Sequence, residues 1–172
     1  DVKCAYCDFY SLAHRHVDES FWRQYTDRLL DDLTRQHTEL ITDSPGATLD
    51  SVFFGGGTPS LWHPRYVGEV LEALGARLSL APRAEVTLEA NPGAADAERF
   101  SGFRAAGVNR LSMGVQSFHL QTLKTLGRSH GGAQAHRAFE AARAAGFDNV
   151  SMDFIYGVHG QTLAQVEADA RE

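Results

Sequence analysis

Cysteine is nearly absent: the 172 residues hold two, Cys4 and Cys7, three positions apart. Neither has a distant partner, which argues against a small secreted fold stapled by disulfides and leaves metal chemistry, redox chemistry or no special role for them. Long apolar runs are missing too. No stretch approaches the roughly 18 to 20 consecutive apolar residues of a membrane span, and no charged-then-apolar leader opens the chain. These absences give a cytoplasmic expectation with no membrane span. Runs of basic charge are lacking as well, since 16 Lys and Arg lie scattered among 22 Asp and Glu for a net charge of -6. Nucleic acid is therefore not the expected partner.

What is present is a 43% hydrophobic chain long enough to enclose one core, with no linker to divide it. Asp18 is placed to cap a first helix on which Phe21, Tyr25, Leu29 and Leu33 recur at four-residue spacing. A short buried strand at 51–54 stops at Gly55-Gly56-Gly57-Thr58-Pro59, and Pro64 opens a helix carrying Val67, Val70, Leu71, Leu74 and Leu78. A strand at 85–89 leads to a turn at Asn91-Pro92-Gly93 and a helix capped by Asp96 that carries Phe100 and Phe103 and closes at Gly107. A strand at 110–115, a short helix near 120–126, an Ala-rich helix at 133–145 and a strand at 149–155 follow, and a last helix starts at Thr162. Strand and helix in alternation spell βαβ units and a parallel sheet. The spacing fits a partial barrel and a doubly wound sheet equally. In both, chemistry gathers at the carboxyl ends of the strands.

Every unusual polar cluster falls there. Three glycines after the first strand let a ligand approach backbone that any Cβ would shield, in a pattern that is neither a phosphate loop nor a dinucleotide fingerprint. Glu89 ends an alternating strand, Gln116 stands just past another, and Asp153 interrupts an apolar one, where a carboxylate needs a partner or ligand. Singly, each is explained as a cap, an edge residue or a satisfied core group. Together, on successive strand ends, they point to one pocket. Arg128 has the geometry to clamp a carboxylate, although a surface arginine is common. Cys4 and Cys7, taken alone, read as a redox pair, two ordinary thiols, or half of a zinc site completed by His14 and His16.

The phrases Cys4-Ala5-Tyr6-Cys7-Asp8-Phe9-Tyr10, GGGTPS, LEANP, RLSMGVQSF, LGR and MDFIYG occur in the order found in the coproporphyrinogen oxidase-like group of radical S-adenosylmethionine (SAM) proteins, which the chain resembles along its whole length. The resemblance implies an α/β fold, part of a (β/α)6 TIM-like barrel. Residues 1–172 would form a core domain without the first strand, the last strand and the C-terminal domain. It implies a [4Fe-4S] cluster held by three cysteines, with the fourth iron open to SAM. Cys4 and Cys7 match the second and third cysteines, and the first falls just before Asp1. Tyr6 matches the aromatic beside the adenine; Gly56, Gly57 and Thr58 match the turn around the methionine part. Glu89 matches the receiver of the SAM amino group, Arg128 the clamp on its carboxylate, and Gln116 with Asp153 the pair that reads the ribose hydroxyls.

Val158-His159-Gly160 stands where the group usually has Leu-Pro-Gly. Phe9 occupies the position of a further cysteine in the oxygen-independent coproporphyrinogen III oxidases, which carry out oxidative decarboxylation through a 5'-deoxyadenosyl radical. The chain is therefore closer to the heme chaperones of the HemW type, whose partners are heme or porphyrin and a heme-accepting protein, with the oxidase as the alternative. A zinc-binding or plain interaction module is the distant one.

Two thiolates do not make a site-differentiated four-iron centre. Anaerobic reconstitution of residues 1–172 with iron and sulfide is expected to give no stable four-iron signal by absorbance and electron paramagnetic resonance, and adding the upstream cysteine to restore it. A stable four-iron cluster on the unextended chain contradicts the expectation.

Overall fold

A computed structural model describes residues 4, 6–8, 17–43, 46–93 and 97–172. In chain order the elements are helix α1 (Glu19–Asp43), strand β1 (Thr48–Phe54), a short 3-10 turn (Pro59–Leu61), α2 (Pro64–Arg77), β2 (Ser79–Ala90), α3 (Ala97–Ala105), β3 (Arg110–Gln116), α4 (Leu120–Thr125), α5 (Gly132–Ala144), β4 (Asn149–Phe154) and α6 (Leu163–Arg171). The strands are parallel and lie side by side in chain order, β1-β2-β3-β4. Right-handed crossovers that always step the same way leave all helices on one face, whereas a doubly wound sheet reverses and covers both. The order therefore selects the partial barrel that spacing alone left open.

The strands obey that one-sidedness residue by residue. Val52, Phe54, Val86, Leu88, Ala90, Leu111, Met113, Val115, Val150 and Met152 share the face that packs on Tyr66, Val67 and Leu71 of α2, Phe100 and Phe103 of α3 and the alanines of α5. The alternate positions, Ser51, Glu85, Thr87, Glu89, Arg110, Ser112, Ser151 and Asp153, belong to the concave face. There Arg110 donates to Glu85 at 3.3 Å, to Thr87 at 3.2 Å and to Ser151 at 3.2 Å. Polar groups on this face bond across strands instead of being buried against helices.

Helix starts read from sequence are seen at Asp18 and Pro64. Asp18 Oδ1 accepts from the Phe21 amide at 2.9 Å and from Ser20 Oγ at 2.8 Å, and these bonds keep its carboxyl below the ordinary 3.8. Pro64 is the first residue of α2. The cap at Asp96 lies outside the described residues.

Two expectations fail for physical reasons. On α1 the buried residue is Thr26, flanked by the partly buried Trp22, Leu29 and Leu30, while Phe21 and Tyr25 are 37% and 50% exposed. Steps of four residues drift by roughly 40° each around a helix of 3.6 residues per turn, so the series starts off the contact face at Phe21 and Tyr25 and reaches it only at Leu29 and Leu33. Strand β2 starts at Ser79, six residues before the expected 85, and Leu78 caps α2 in extended conformation. Ser79 and Leu80 pair with Thr48 and Leu49, after which the register jumps so that Ser51 meets Glu85. Pro82, which cannot donate to a ladder, sits inside that irregularity.

Asn109 extends the β2–β3 ladder with its side chain. Its Oδ1 accepts from the Val86 amide at 2.8 Å, its Nδ2 donates to the Ala84 carbonyl at 2.8 Å, and its own amide donates to the Val86 carbonyl at 3.0 Å. Asn109→Ala leaves two groups of buried β2 residues unpaired and is expected to cost about 2 kcal/mol. Urea unfolding followed by circular dichroism checks it; a midpoint equal to that of the parent chain contradicts it.

Candidate functional site

At the carboxyl ends of the strands, the turn after β1 exposes Gly56 and Gly57 with φ of 86° and 60°. A Cβ at either would meet nothing within 4 Å, so packing does not demand glycine; the left-handed backbone and the open approach to it do. The Gly56 amide donates to Glu89 Oε2 at 3.1 Å, tying this turn to the end of β2.

Asn91, two residues beyond Glu89, is the centre of a second tie. Its Nδ2 donates to Thr58 Oγ1 at 3.1 Å, and its Oδ1 accepts a short hydrogen bond from Arg128 Nη2. The same Nη2 donates to the Gly114 carbonyl at 2.8 Å. The other guanidinium arm, Nη1, reaches Cys4 Sγ and the Tyr6 hydroxyl, both at 3.5 Å. Burial raises the Tyr6 phenol above its ordinary 10.0; the Arg128 charge opposes this and Cys4 adds to it. Cys4 and Cys7 are both partly exposed and close one turn through the Cys7 amide and the Cys4 carbonyl at 3.1 Å.

Gln116 is the one non-glycine among the described residues with positive φ, 66°. Such a conformation costs on the order of 1 to 3 kcal/mol and persists where its surroundings enforce it. The ladder between β3 and β4 breaks register from Met113 to Gln116, and the Ile155 amide donates to the Gln116 carbonyl at 3.0 Å. The turned amide lies over Gly114, where a Cβ would come within 2.7 Å of Gln116 Nε2 and 3.1 Å of Asn91 Oδ1. Asp153 on β4 accepts from Ser112 Oγ through both oxygens, at 3.1 and 2.9 Å. It stands exposed on the concave face, so it alternates with apolar neighbours and does not interrupt a buried strand.

The structure thus joins Gly56 to Glu89, and Thr58, Arg128, Cys4 and Tyr6 through Asn91 and the guanidinium, and sets Gln116 over Gly114 in the same row. Asp153 is bonded to Ser112, the ladder neighbour of Glu89, and has no bond to the other members of the network; Gly57 continues the open turn. Sequence reasoning passed over Asn91, seen only as part of a turn, and Ser112; their positions on the alternating polar face carried the signal. His14, His16 and Phe9 lie outside the described residues. Among the described residues no group of three or more His, Cys, Asp and Glu is arranged for a metal ion, and no helix is long and apolar enough to cross a membrane.

The donor set suits part of an iron-sulfur cluster site with an amino-acid ligand: two accessible thiols on one turn, a carboxylate at the end of β2, a guanidinium from the loop after α4, and an open glycine turn. The model of the Radical SAM superfamily matches residues 1–172. The chain belongs to the radical SAM superfamily. Among curated radical SAM relatives, "Heme chaperone HemW" of Escherichia coli is 41% identical over 170 residues, which are 99% of this chain and 43% of that protein. The protein of the same name from Haemophilus influenzae is 37% identical, across 99% and 44%. "Radical S-adenosyl methionine domain-containing protein 1, mitochondrial" of Mus musculus is 41% identical, across 95% and 35%. The chain therefore spans less than half the length of these relatives. Among solved structures, the coproporphyrinogen III oxidase HemN of Escherichia coli superposes with a TM-score of 0.76 at 24% identity, over 96% of this chain and 37% of that one. Archaeal Elp3 from Methanocaldococcus infernus gives 0.62 at 17% identity, over 88% and 37%. Both share the fold of this chain, a partial barrel of parallel strands.

Buried His130 supports the site from behind, with Nε2 donating to the Val115 carbonyl at 2.9 Å. Burial first, and also the Arg128 charge, hold its pKa below the ordinary 6.5 against the opposing hydrogen bond. The folded chain thus takes up this proton less readily than the unfolded chain, so the stability from neutral His130 is complete above pH 6.5 and is lost as pH falls below it. His130→Gln keeps an N–H donor and cannot charge; it is expected to flatten the fall of the urea midpoint as pH drops below about 6.5. Identical slopes for parent and variant contradict this.

Proposed function

We propose that this chain is the SAM- and cluster-binding core of a heme chaperone of the HemW type. The observation that carries the reading is the 41% identity to such a protein across 99% of the chain, with the matched polar residues converging on the strand ends. Cys4 and Cys7 would hold two irons of the [4Fe-4S] cluster. When bound, cluster and SAM together supply one-electron chemistry.

The chain's own residues bind and orient. The Glu89 carboxylate, steadied by the Gly56 amide, receives the SAM amino group, and the open Gly56-Gly57-Thr58 turn lets the methionine part lie against backbone. Arg128 is held by Asn91 and the Gly114 carbonyl through Nη2, and its Nη1, only weakly engaged at 3.5 Å by Cys4 Sγ and the Tyr6 hydroxyl, meets the SAM carboxylate. Gln116 and Asp153 read the ribose hydroxyls, and Tyr6 lies beside the adenine. The partners are SAM, heme or porphyrin, and a heme-accepting protein. Phe9, where the oxidases have a cysteine, cannot supply a thiol for redox or proton transfer.

In the full-length, cluster-loaded protein, Arg128→Ala and Asp153→Ala are each expected to weaken SAM about ten- to a hundred-fold, the loss of one charge-assisted hydrogen bond, with an unchanged circular dichroism spectrum. Unchanged affinity in both means the pocket is wrongly assembled. The same protein is expected to bind heme in a titration and to leave coproporphyrinogen III unconverted in anaerobic turnover with SAM and a strong reductant. Formation of protoporphyrinogen IX without heme binding would establish the oxidase instead.

A further inference from the structure

Asp169 on α6 is a carboxylate only 7% exposed that has no part in the ligand contacts above. Its Oδ2 accepts from Ser117 Oγ at 2.7 Å and its Oδ1 from the Phe118 amide at 2.8 Å. The His119 amide donates back to Ser117 Oγ at 3.0 Å, and the His119 ring reaches the Gln165 carbonyl of the same helix at 3.2 Å. One helix is thus fastened to the three residues that directly follow Gln116. Upstream, the Ser117 amide donates to the Val115 carbonyl at 2.8 Å, closing a tight turn around Gln116 itself. A glutamine at φ 66° relaxes toward the ordinary extended or right-handed regions unless both flanks are held. The β4 contact holds the Gln116 carbonyl; the downstream flank is held by Asp169.

We infer that Asp169 is a positioning residue of the SAM site: by fixing Ser117 and Phe118 it keeps Gln116 in its left-handed conformation, with the amide in the row of groups that faces the ligand. The inference rests on the reading of Gln116 as a ribose contact. Asp169 touches no ligand, and its effect passes through the backbone of three residues. The helix that follows β4 therefore takes part in nucleoside recognition at the end of β3.

The test uses the full-length, cluster-loaded protein and two ligands, S-adenosylhomocysteine and its 2',3'-dideoxy analogue. The ratio of their affinities isolates the ribose hydroxyls, and a general loosening of the fold would weaken both alike. Asp169→Ala and the milder Ser117→Ala are each expected to lower that ratio about five-fold, the equivalent of one lost hydrogen bond. Asp169→Asn, which keeps an acceptor for the Phe118 amide, is expected to retain most of it. If Asp169→Ala fails to fold, Ser117→Ala carries the decision. Gln116→Ala lowering the ratio while Ser117→Ala and Asp169→Ala leave it unchanged overturns the positioning role and spares the ribose contact. Gln116→Ala leaving the ratio unchanged overturns the ribose contact and the inference with it.

Discussion

One constraint organises the molecule: four parallel strands laid down in chain order must put their helices on one side, so each strand has one face for the core and one for solvent or ligand. Parallel sheets are ordinarily covered on both faces and read as unbroken apolar runs. Here Glu85-Val86-Thr87-Leu88-Glu89 and Asn149-Val150-Ser151-Met152-Asp153 alternate strictly. The apolar half builds the core around Phe100, Phe103, Leu111 and Met113, all fully buried. In the polar half Thr87 and Ser112 are buried, while Glu85 and Asp153 are exposed. Its members bond laterally, Arg110 to Glu85 and Ser112 to Asp153, and the exposed ones remain available to a ligand at low desolvation cost.

The same constraint explains why the site is a network spread over successive strand ends. Strands β2, β3 and β4 contribute Glu89, Gln116 and Asp153, while the turn after β1 contributes Gly56, Gly57 and Thr58. Asn91 holds Thr58 and Arg128 at once, while Glu89 holds the glycine turn through the Gly56 amide. Groups of opposite charge are thereby kept apart: Glu89 is occupied by a backbone amide and Arg128 by carbonyl oxygens, so neither is neutralised by the other. An amino acid, with its amino and carboxylate groups on one carbon, complements such a pair. Behind the row, buried His130 and Asp169 anchor Val115, Ser117 and Phe118 around the strained Gln116.

The sequence made the βαβ alternation, most element boundaries and the positions of the polar strand ends legible, because turn glycines, prolines and periodicity are local signals. The family match across the full chain and the parallel sheet agree with that reading. What it concealed depends on three-dimensional neighbours. Nothing local marks Asn91 as the tie between two loops, since its partners are 33 and 37 residues away. The true face of α1 emerged only from what it packs against, and the early start of β2 from pairing with Thr48 and Leu49 across an irregularity that tolerates Pro82. The residues that follow the left-handed Gln116 are bonded to a helix more than fifty residues downstream, out of reach of any propensity rule.

The central claim, that the strand ends form one SAM pocket, is tested most directly by hydrogen–deuterium exchange on the full-length, cluster-loaded protein with and without SAM. Slowed exchange is expected together at the Gly55–57 turn, at 89–91, at 114–117 and around Arg128, because these segments are tied to one another and to the ligand. Protection confined to the separate cavity of about 550 Å³ lined by Val17, Trp22, Leu61, His63 and Arg99, with the strand ends unchanged, would contradict it.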